Sequence, residues 1–119
     1  MKSILIVDDM LNLRVILGKI LSPEFEVIYS ACDGSEGVEK YKELKPDLVT
    51  MDMSMPNCNG IEALKQILEI DPLAKVMMIT TVDQLEQAQE LIALGAKDYI
   101  LKPFSPDVVI SRIKKVLQQ

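Results

Sequence analysis

Five short apolar runs, separated by segments long enough to form helices, constrain the fold of this chain more than any other feature of its sequence. Most of the runs are continuous rather than alternating, which is typical of strands that are buried on both faces of a parallel sheet. The intervening segments repeat their apolar residues with a period of about 3.6, as amphipathic helices do. The runs occupy residues 4–7, 27–31, 48–51, 76–79 and 99–101.

The first and last helical segments show this periodicity clearly. The first is predicted to turn one face toward the sheet, composed of Leu13, Ile16, Leu17 and Ile20. The last is predicted to bury Val109, Ile113 and Val116.

Local chemistry marks several helix ends. Asp33, with Glu36 three residues later, reads as a capping box. Ser105 before a proline predicts a helix start, and Gly95 predicts a helix end. Asp71 precedes a proline and therefore favours the end of the third helix.

Strict alternation of five strands and five helices predicts an α/β fold, a (βα)₅ doubly wound three-layer sandwich around a parallel five-stranded sheet. The 119 residues suit one domain, and the 49% of hydrophobic residues suffice for one core. Because the last helical pattern reaches the C-terminus, we expect residues 1–119 to form one complete domain without an attached output domain.

Composition excludes several classes of function. The chain contains no histidine, which removes histidine acid–base catalysis and most zinc sites. A net charge of −5 with scattered basic residues predicts no direct binding to nucleic acid. Cys32 and Cys58 are expected to be free thiols. No apolar stretch approaches the ~20 residues of a membrane span, and no secretory signal is visible, so a cytoplasmic location is expected.

Polar residues follow four of the five apolar runs. Asp8 and Asp9 follow the first run, Asp52 the third, Thr80 the fourth and Lys102 the fifth. Taken singly, each of these residues is common at the end of a strand and would not indicate a site. Because ligands of open parallel sheets bind outside the carboxyl ends of the strands, we expect these side chains to converge at one edge.

Three carboxylates at one edge require compensation. Two unit charges ~4 Å apart repel by roughly 4 kcal/mol at an effective dielectric of about 20. Oxygen ligands favour a hard cation, and Mg²⁺ retains waters and shares its coordination sphere with phosphate. Three aspartates, one Mg²⁺ and the Lys102 ammonium would carry no net formal charge, and the Thr80 hydroxyl could donate to a bound phosphoryl group.

Over its whole length the sequence resembles the response-regulator receiver domain of two-component signalling, and in particular its stand-alone, CheY-like subgroup. Each motif alone is weak evidence for this family, but the whole set in this order and at these spacings is specific to it. The motifs are residues 6–9, residues 51–56 ending in Pro56, Gly60, Thr80, residues 95–96 and residues 102–104. The resemblance also implies a flavodoxin-like strand order of 2-1-3-4-5.

The resemblance implies a role for each residue of the acidic edge. Asp52 would be the phosphoacceptor. Asp9 and Asp52 would bind Mg²⁺ directly, Asp8 mainly through water, and Met53 through its backbone carbonyl. Lys102 would pair with the phosphoryl group.

Further positions are implied to control the switch. Thr80 and Tyr99 would change conformation together after phosphorylation. Ser54 and Val82 would tune the phosphoryl lifetime, and because Val82 cannot orient a water, we expect a lifetime that this side chain does not shorten. The peptide bond before Pro103 is expected to be cis.

The partners implied are a sensor histidine kinase and a downstream target, either the flagellar switch or a phosphotransferase. The chain would be a monomer. It would catalyse only its own phosphorylation and dephosphorylation and would not otherwise be an enzyme. The kinase would dock near Leu11, Pro103 and Phe104. The output surface would comprise Glu86, Gln87, Glu90, Tyr99, Lys102, Lys114 and Lys115.

Chemotaxis is the favoured pathway. A phosphorelay intermediate and a receiver excised from a DNA-binding regulator remain alternatives. A hydrolase with an aspartyl-phosphate intermediate is a candidate of another class, but Ser54 occupies the position of its second aspartate. A flavodoxin-like cofactor module is disfavoured because Asp8 and Asp9 would repel a phosphate in the absence of metal.

Overall fold

The strands and helices alternate along the chain as the apolar runs predict. The computed structural model describes residues 1–55 and 58–119, so Pro56 of the predicted motif lies outside the described residues. A short 3₁₀ turn, Val82–Gln84, precedes the fourth helix and was not predicted. The elements are β1 (Ser3–Val7), α1 (Leu11–Leu21), β2 (Glu26–Ala31), α2 (Gly34–Leu44), β3 (Leu48–Asp52), α3 (Gly60–Ile70), β4 (Val76–Thr80), α4 (Leu85–Leu94), β5 (Asp98–Leu101) and α5 (Pro106–Leu117).

All four strand pairings are parallel, and the strand order is β2-β1-β3-β4-β5. The chain moves from β1 outward to β2 and then returns to the other side of β1 as β3. Strand order therefore reverses between β1 and β3, which is where open α/β sheets form their ligand crevice. The predicted fold class and strand order are both confirmed.

The sheet is covered on both faces, which explains why its strands are continuously apolar. One core packs alternate strand residues such as Leu5 and Met51 against α2, α3 and α4. The other packs Ile6 and Ile79 against buried residues of α1 and α5. The predicted inner face of α5 is confirmed, since it buries Val109, Ile113 and Val116.

The predicted helix ends are confirmed. The Asp33 side chain accepts from the Glu36 N–H at 2.8 Å, and the Glu36 carboxylate accepts from the Cys32 N–H at 2.7 Å. Ser105 caps α5 by the same kind of bond, and Gly95 ends α4 with a φ of 131°. Helix α3 stops at Ile70, immediately before Asp71 and its proline.

The predicted inner face of α1 is partly wrong. Leu17 and Leu21 are the buried residues of this helix, whereas Ile16 is 46% exposed. Ile16 lines a groove between α1 and the loop after β5, together with Pro103 and Phe104. The apolar pattern of α1 therefore serves two surfaces, the sheet and this groove.

Candidate acidic site at the carboxyl edge of the sheet

Three aspartates meet where strand order reverses. Asp8 and Asp9 directly follow β1, and Asp52 is the last residue of the adjacent strand β3. Each contributes a carboxylate oxygen, and these atoms all lie within 4.8 Å of one another. The sequence-predicted convergence of the carboxylates is therefore observed.

Asp8 is the most constrained member of the cluster. It is 1% exposed, and its Oδ1 accepts from the Met10 N–H at 2.9 Å. Its backbone carbonyl accepts from the Arg14 guanidinium at 2.6 Å. Its Oδ2 is buried and has no hydrogen-bond partner among the described residues. Such an oxygen is costly to bury unless a cation compensates it.

Lys102 provides the positive charge of the site. Its Nζ lies 3.3 Å from Asp52 Oδ1 and 3.8 Å from Asp8 Oδ2. Its backbone N–H donates to the Thr80 carbonyl at 2.7 Å, which ties the end of β5 to the end of β4. The bond to Pro103 is cis, as predicted. One ammonium facing three carboxylates leaves the cluster with excess negative charge.

Two of the three carboxyl groups have raised pKa values, chiefly because they are buried. Burial, reinforced by the charge of Asp8 and opposed by that of Lys102, raises the pKa of Asp52 to about 6. Burial also raises the pKa of Asp8, against the lowering effects of the Met10 N–H and of Lys102. Both shifts mean that the ionised carboxylates are disfavoured at this edge in the absence of a further cation.

The residues present fit a hard divalent cation. The cluster offers only oxygen ligands, and two of its carboxyl groups have raised pKa values. It includes the buried Asp8 Oδ2, to which no described residue donates a hydrogen bond. The carbonyl of Met53, predicted as a further ligand, accepts from the Gly60 N–H at 3.1 Å. A carbonyl oxygen has two lone pairs, so this bond uses one of them. The role of Met53 stays a prediction.

The two predicted switch residues lie on adjacent strands, Thr80 at the end of β4 and Tyr99 on β5. Thr80 is 1% exposed, and its hydroxyl donates to the Thr81 carbonyl at 3.2 Å. The hydroxyl has one proton to donate, so this bond engages it. Tyr99 is half-buried and pairs with Met78 of β4. The Arg112 guanidinium lies 5.7 Å from the centre of its ring.

The two predicted lifetime-tuning residues lie on separate loops. Ser54 is exposed, and its Oγ accepts from the Gln84 side-chain amide at 2.6 Å. Val82 is 71% exposed in the 3₁₀ turn.

Sequence reasoning missed Gln84 and Arg14. The hydrogen bond of Gln84 to Ser54 joins two loops that are distant in the sequence, so no local sequence pattern predicts it. Arg14 holds the turn that carries Asp8, and its only signal is a basic residue one helical turn beyond the aspartate pair.

Comparison with known proteins agrees with this geometry. Residues 4–114 match the family model of the response regulator receiver domain. Chemotaxis protein CheY of Thermotoga maritima is 48% identical over 116 residues, which cover 97% of each chain. Chemotaxis protein CheY of Bacillus subtilis is 47% identical over 115 residues, which cover 96% of each chain.

Solved structures show the same architecture. CheY from Borrelia burgdorferi, in a crystal structure of a complex with CheX, BeF₃ and Mg²⁺, superposes with a TM-score of 0.92 at 36% identity. The superposition covers 97% of this chain and 88% of that one. The chain therefore belongs to the response regulator receiver domain family and is a receiver-domain signalling switch.

Proposed function

We propose that phosphorylation of Asp52 sets this switch, with Mg²⁺ held by Asp8, Asp9, Asp52 and the Met53 carbonyl. The observation that carries the proposal is the cluster of three carboxylates opposite one ammonium at the edge where strand order reverses. The raised pKa of Asp52 supports it, because an incompletely compensated carboxylate gains from an added cation. CheY of Borrelia burgdorferi, crystallised with BeF₃ and Mg²⁺, supports the choice of metal.

Phosphoryl transfer at this site depends mainly on position and charge. A carboxylate oxygen of Asp52 attacks the phosphorus of a phosphohistidine on a sensor kinase, forming a P–O bond. The P–N bond breaks and its electron pair returns to the imidazole nitrogen. The Lys102 ammonium, 3.3 Å from Asp52 Oδ1, pairs with a phosphoryl oxygen as charge moves onto the group. Bound Mg²⁺ supplies neutralisation of the phosphoryl oxygens.

Dephosphorylation resets the switch by hydrolysis. A water oxygen attacks the phosphorus, the bond between phosphorus and Asp52 breaks, and the carboxylate is restored while the water protons leave with phosphate. Ser54 and Val82 flank the approach to the group and tune this step. The apolar, exposed Val82 offers the water no hydrogen bond, so that side chain does not accelerate its attack. The chain then turns over only its own phosphoryl group and is not a metabolic enzyme.

The proposed switch acts through Thr80 and Tyr99. The Thr80 hydroxyl, now bonded to the Thr81 carbonyl, turns toward the phosphoryl group. Tyr99 changes its rotamer with it and alters the surface formed by α4, β5 and α5. Phosphorylation shifts a pre-existing equilibrium between two arrangements by binding one of them better.

Chemotaxis is the proposed pathway, supported by relatives named chemotaxis protein CheY that match nearly their full lengths. The flagellar switch is the proposed output partner, with a histidine phosphotransferase as the alternative. A natural reading frame that continued into a DNA-binding domain would instead favour an excised receiver. The kinase would dock on the apolar groove between α1 and the loop after β5, which is lined by Ile16, Pro103 and Phe104. Leu11, at the start of α1, is exposed and could add to this contact.

The acceptor assignment can be tested by intact mass. Wild-type protein incubated with acetyl phosphate and Mg²⁺ should gain one alkali-labile phosphoryl group, and EDTA should prevent the gain. Asp52→Asn should gain none. Asp107→Asn, which alters an exposed aspartate in the first turn of α5, is the matched control and should behave as wild type. Equal labelling of Asp52→Asn and wild type would exclude Asp52 as the acceptor.

A further inference from the structure

A hydrogen bond between two side chains connects the loop after β3 to the turn after β4. The Gln84 Nε2 donates to the Ser54 Oγ at 2.6 Å. Ser54 lies two residues after Asp52, and Gln84 is the last residue of the 3₁₀ turn that leads into α4. The bridge therefore joins the segment that carries the acceptor to the helix expected to change when the switch is set.

The turn that aims Gln84 is itself hydrogen-bonded. The Thr81 hydroxyl donates to Asp83 Oδ1 at 2.6 Å, and the Gln84 backbone N–H donates to the Thr81 carbonyl at 3.1 Å. The same carbonyl accepts from the Thr80 hydroxyl at 3.2 Å. The Thr80 hydroxyl and the Gln84 backbone thus share one acceptor in this arrangement.

The bond from Gln84 to Ser54 and the bond from Thr80 to Thr81 are made together in this arrangement of the loop. Thr81 directly precedes the 3₁₀ turn that ends at Gln84. A displacement of the segment that carries Thr80 and Thr81 toward a phosphoryl group would therefore strain or break the bond from Gln84 to Ser54.

We infer that Gln84 is a positioning residue that holds the loop after β4 in its unphosphorylated arrangement through Ser54. The inference rests on the proposed phosphorylation of Asp52 and deepens it by naming a restraint on the switch. Breaking the bridge should shift the equilibrium toward the arrangement that accepts the phosphoryl group.

The expected effect is modest because the bond is exposed. A net hydrogen bond of ordinary strength corresponds to about a two- to fivefold change in a two-state equilibrium. Gln84→Ala should therefore gain a phosphoryl group from acetyl phosphate and Mg²⁺ about two to five times faster than wild type. Its loss of the group should not be accelerated, because the bridge does not restrain the phosphorylated arrangement.

A double-mutant cycle tests whether the two side chains act through one another. Ser54→Ala should accelerate the gain as Gln84→Ala does, and the double variant should be no faster than either single one. Gln89→Ala, at an exposed glutamine of α4, is the matched control and should keep the rate near that of wild type. Thermal unfolding of every variant verifies that each one folds.

Each outcome is decisive. Unchanged gain in Gln84→Ala, or effects of the two single variants that multiply in the double variant, would overturn the inference. Equal acceleration of gain and loss would also overturn it, because the pair would then act as a barrier to access. A wild-type protein that gains no phosphoryl group would instead overturn the proposed function itself.

Discussion

Thr50 lies fully buried on β3, two residues before Asp52 and on the same face of the sheet. Its hydroxyl has no hydrogen-bond partner within the part of the chain that the structure describes. A buried hydroxyl without a partner costs on the order of 1–3 kcal/mol in lost hydration. Thr50 therefore carries a free-energy cost of burial that an apolar residue of the same shape would not carry at this position.

Replacing this hydroxyl should stabilise the protein. Thr50→Val keeps the branched shape and removes the buried polar atom, so we expect the free energy of unfolding to rise by about 1 kcal/mol. Denaturant titration in EDTA measures it. Thr81→Val is the matched control, because the Thr81 hydroxyl donates to Asp83 and its removal should not stabilise. A destabilised Thr50→Val protein would contradict the assignment of an unsatisfied hydroxyl.

At single positions, the sequence was informative wherever a residue interrupts an apolar run. Asp8, Asp52 and Lys102 could be predicted to meet, because parallel strands end at a common edge. Gln84 could not, because its partner Ser54 lies on another loop and the pairing depends on how both loops are folded. Roles in catalysis came from the family resemblance, since position alone does not distinguish an acceptor from a ligand.

Two glycines, in helices on opposite faces of the sheet, have very different surroundings. Gly60 begins α3, and a Cβ built there would lie 2.1 Å from the Asp52 carbonyl oxygen. Gly18 lies inside α1, and a Cβ there would have nothing within 4 Å. The start of helix α3 therefore lies so close to the end of β3 that a side chain at position 60 would clash with the backbone. Helix α1 leaves space for a side chain at position 18.

Alanine at these two positions should change stability in opposite directions. Gly60→Ala forces backbone atoms apart and should lower the free energy of unfolding by about 1–3 kcal/mol. Gly18→Ala should raise it by up to about 1 kcal/mol, because alanine favours a helix interior. Thermal or denaturant unfolding measures both, and a Gly60→Ala protein as stable as wild type would refute the close approach.

At the level of elements, prediction succeeded where the determinants are local. The caps at Asp33 and Ser105 and the stop at Gly95 involve groups within a few residues, and all three are present. The burial of Ile16 was mispredicted because periodicity reveals an apolar face but not which neighbour covers it. The 3₁₀ turn Val82–Gln84 was missed because it carries no periodicity.

Across the whole molecule, the site links stability to pH. The pKa of Asp52 rises from 3.8 to about 6 on folding, so the native state binds the proton more tightly than the unfolded chain. The corresponding stabilisation is complete below 3.8 and is lost as pH rises through about 6. The difference is on the order of 3 kcal/mol, since one pKa unit corresponds to about 1.4 kcal/mol.

Metal-free protein should therefore become more stable when pH is lowered from 8 to 5. Asp52→Asn should be more stable than wild type at pH 8 and should show a flatter profile. At pH 8, Mg²⁺ should raise the thermal midpoint of wild type more than that of Asp52→Asn, because a ligand bound by the native state stabilises it. Urea titrations across this pH range in EDTA measure the pH dependence, and thermal unfolding at pH 8 with and without Mg²⁺ measures the effect of the metal. Stability that falls on acidification toward pH 5 would contradict the raised pKa of Asp52.

The order in which these residues are synthesised affects when the acidic site can form. A nascent chain that has emerged only as far as β4 already contains Asp8, Asp9 and Asp52, but it lacks β5 and the ammonium of Lys102. Such a chain holds the three negative charges of the site without the ammonium that pairs with Asp52, and it lacks the strand that pairs with β4. The charges at this edge can balance only after residue 102 has been synthesised, so a polypeptide that stops before β5 should be unable to signal.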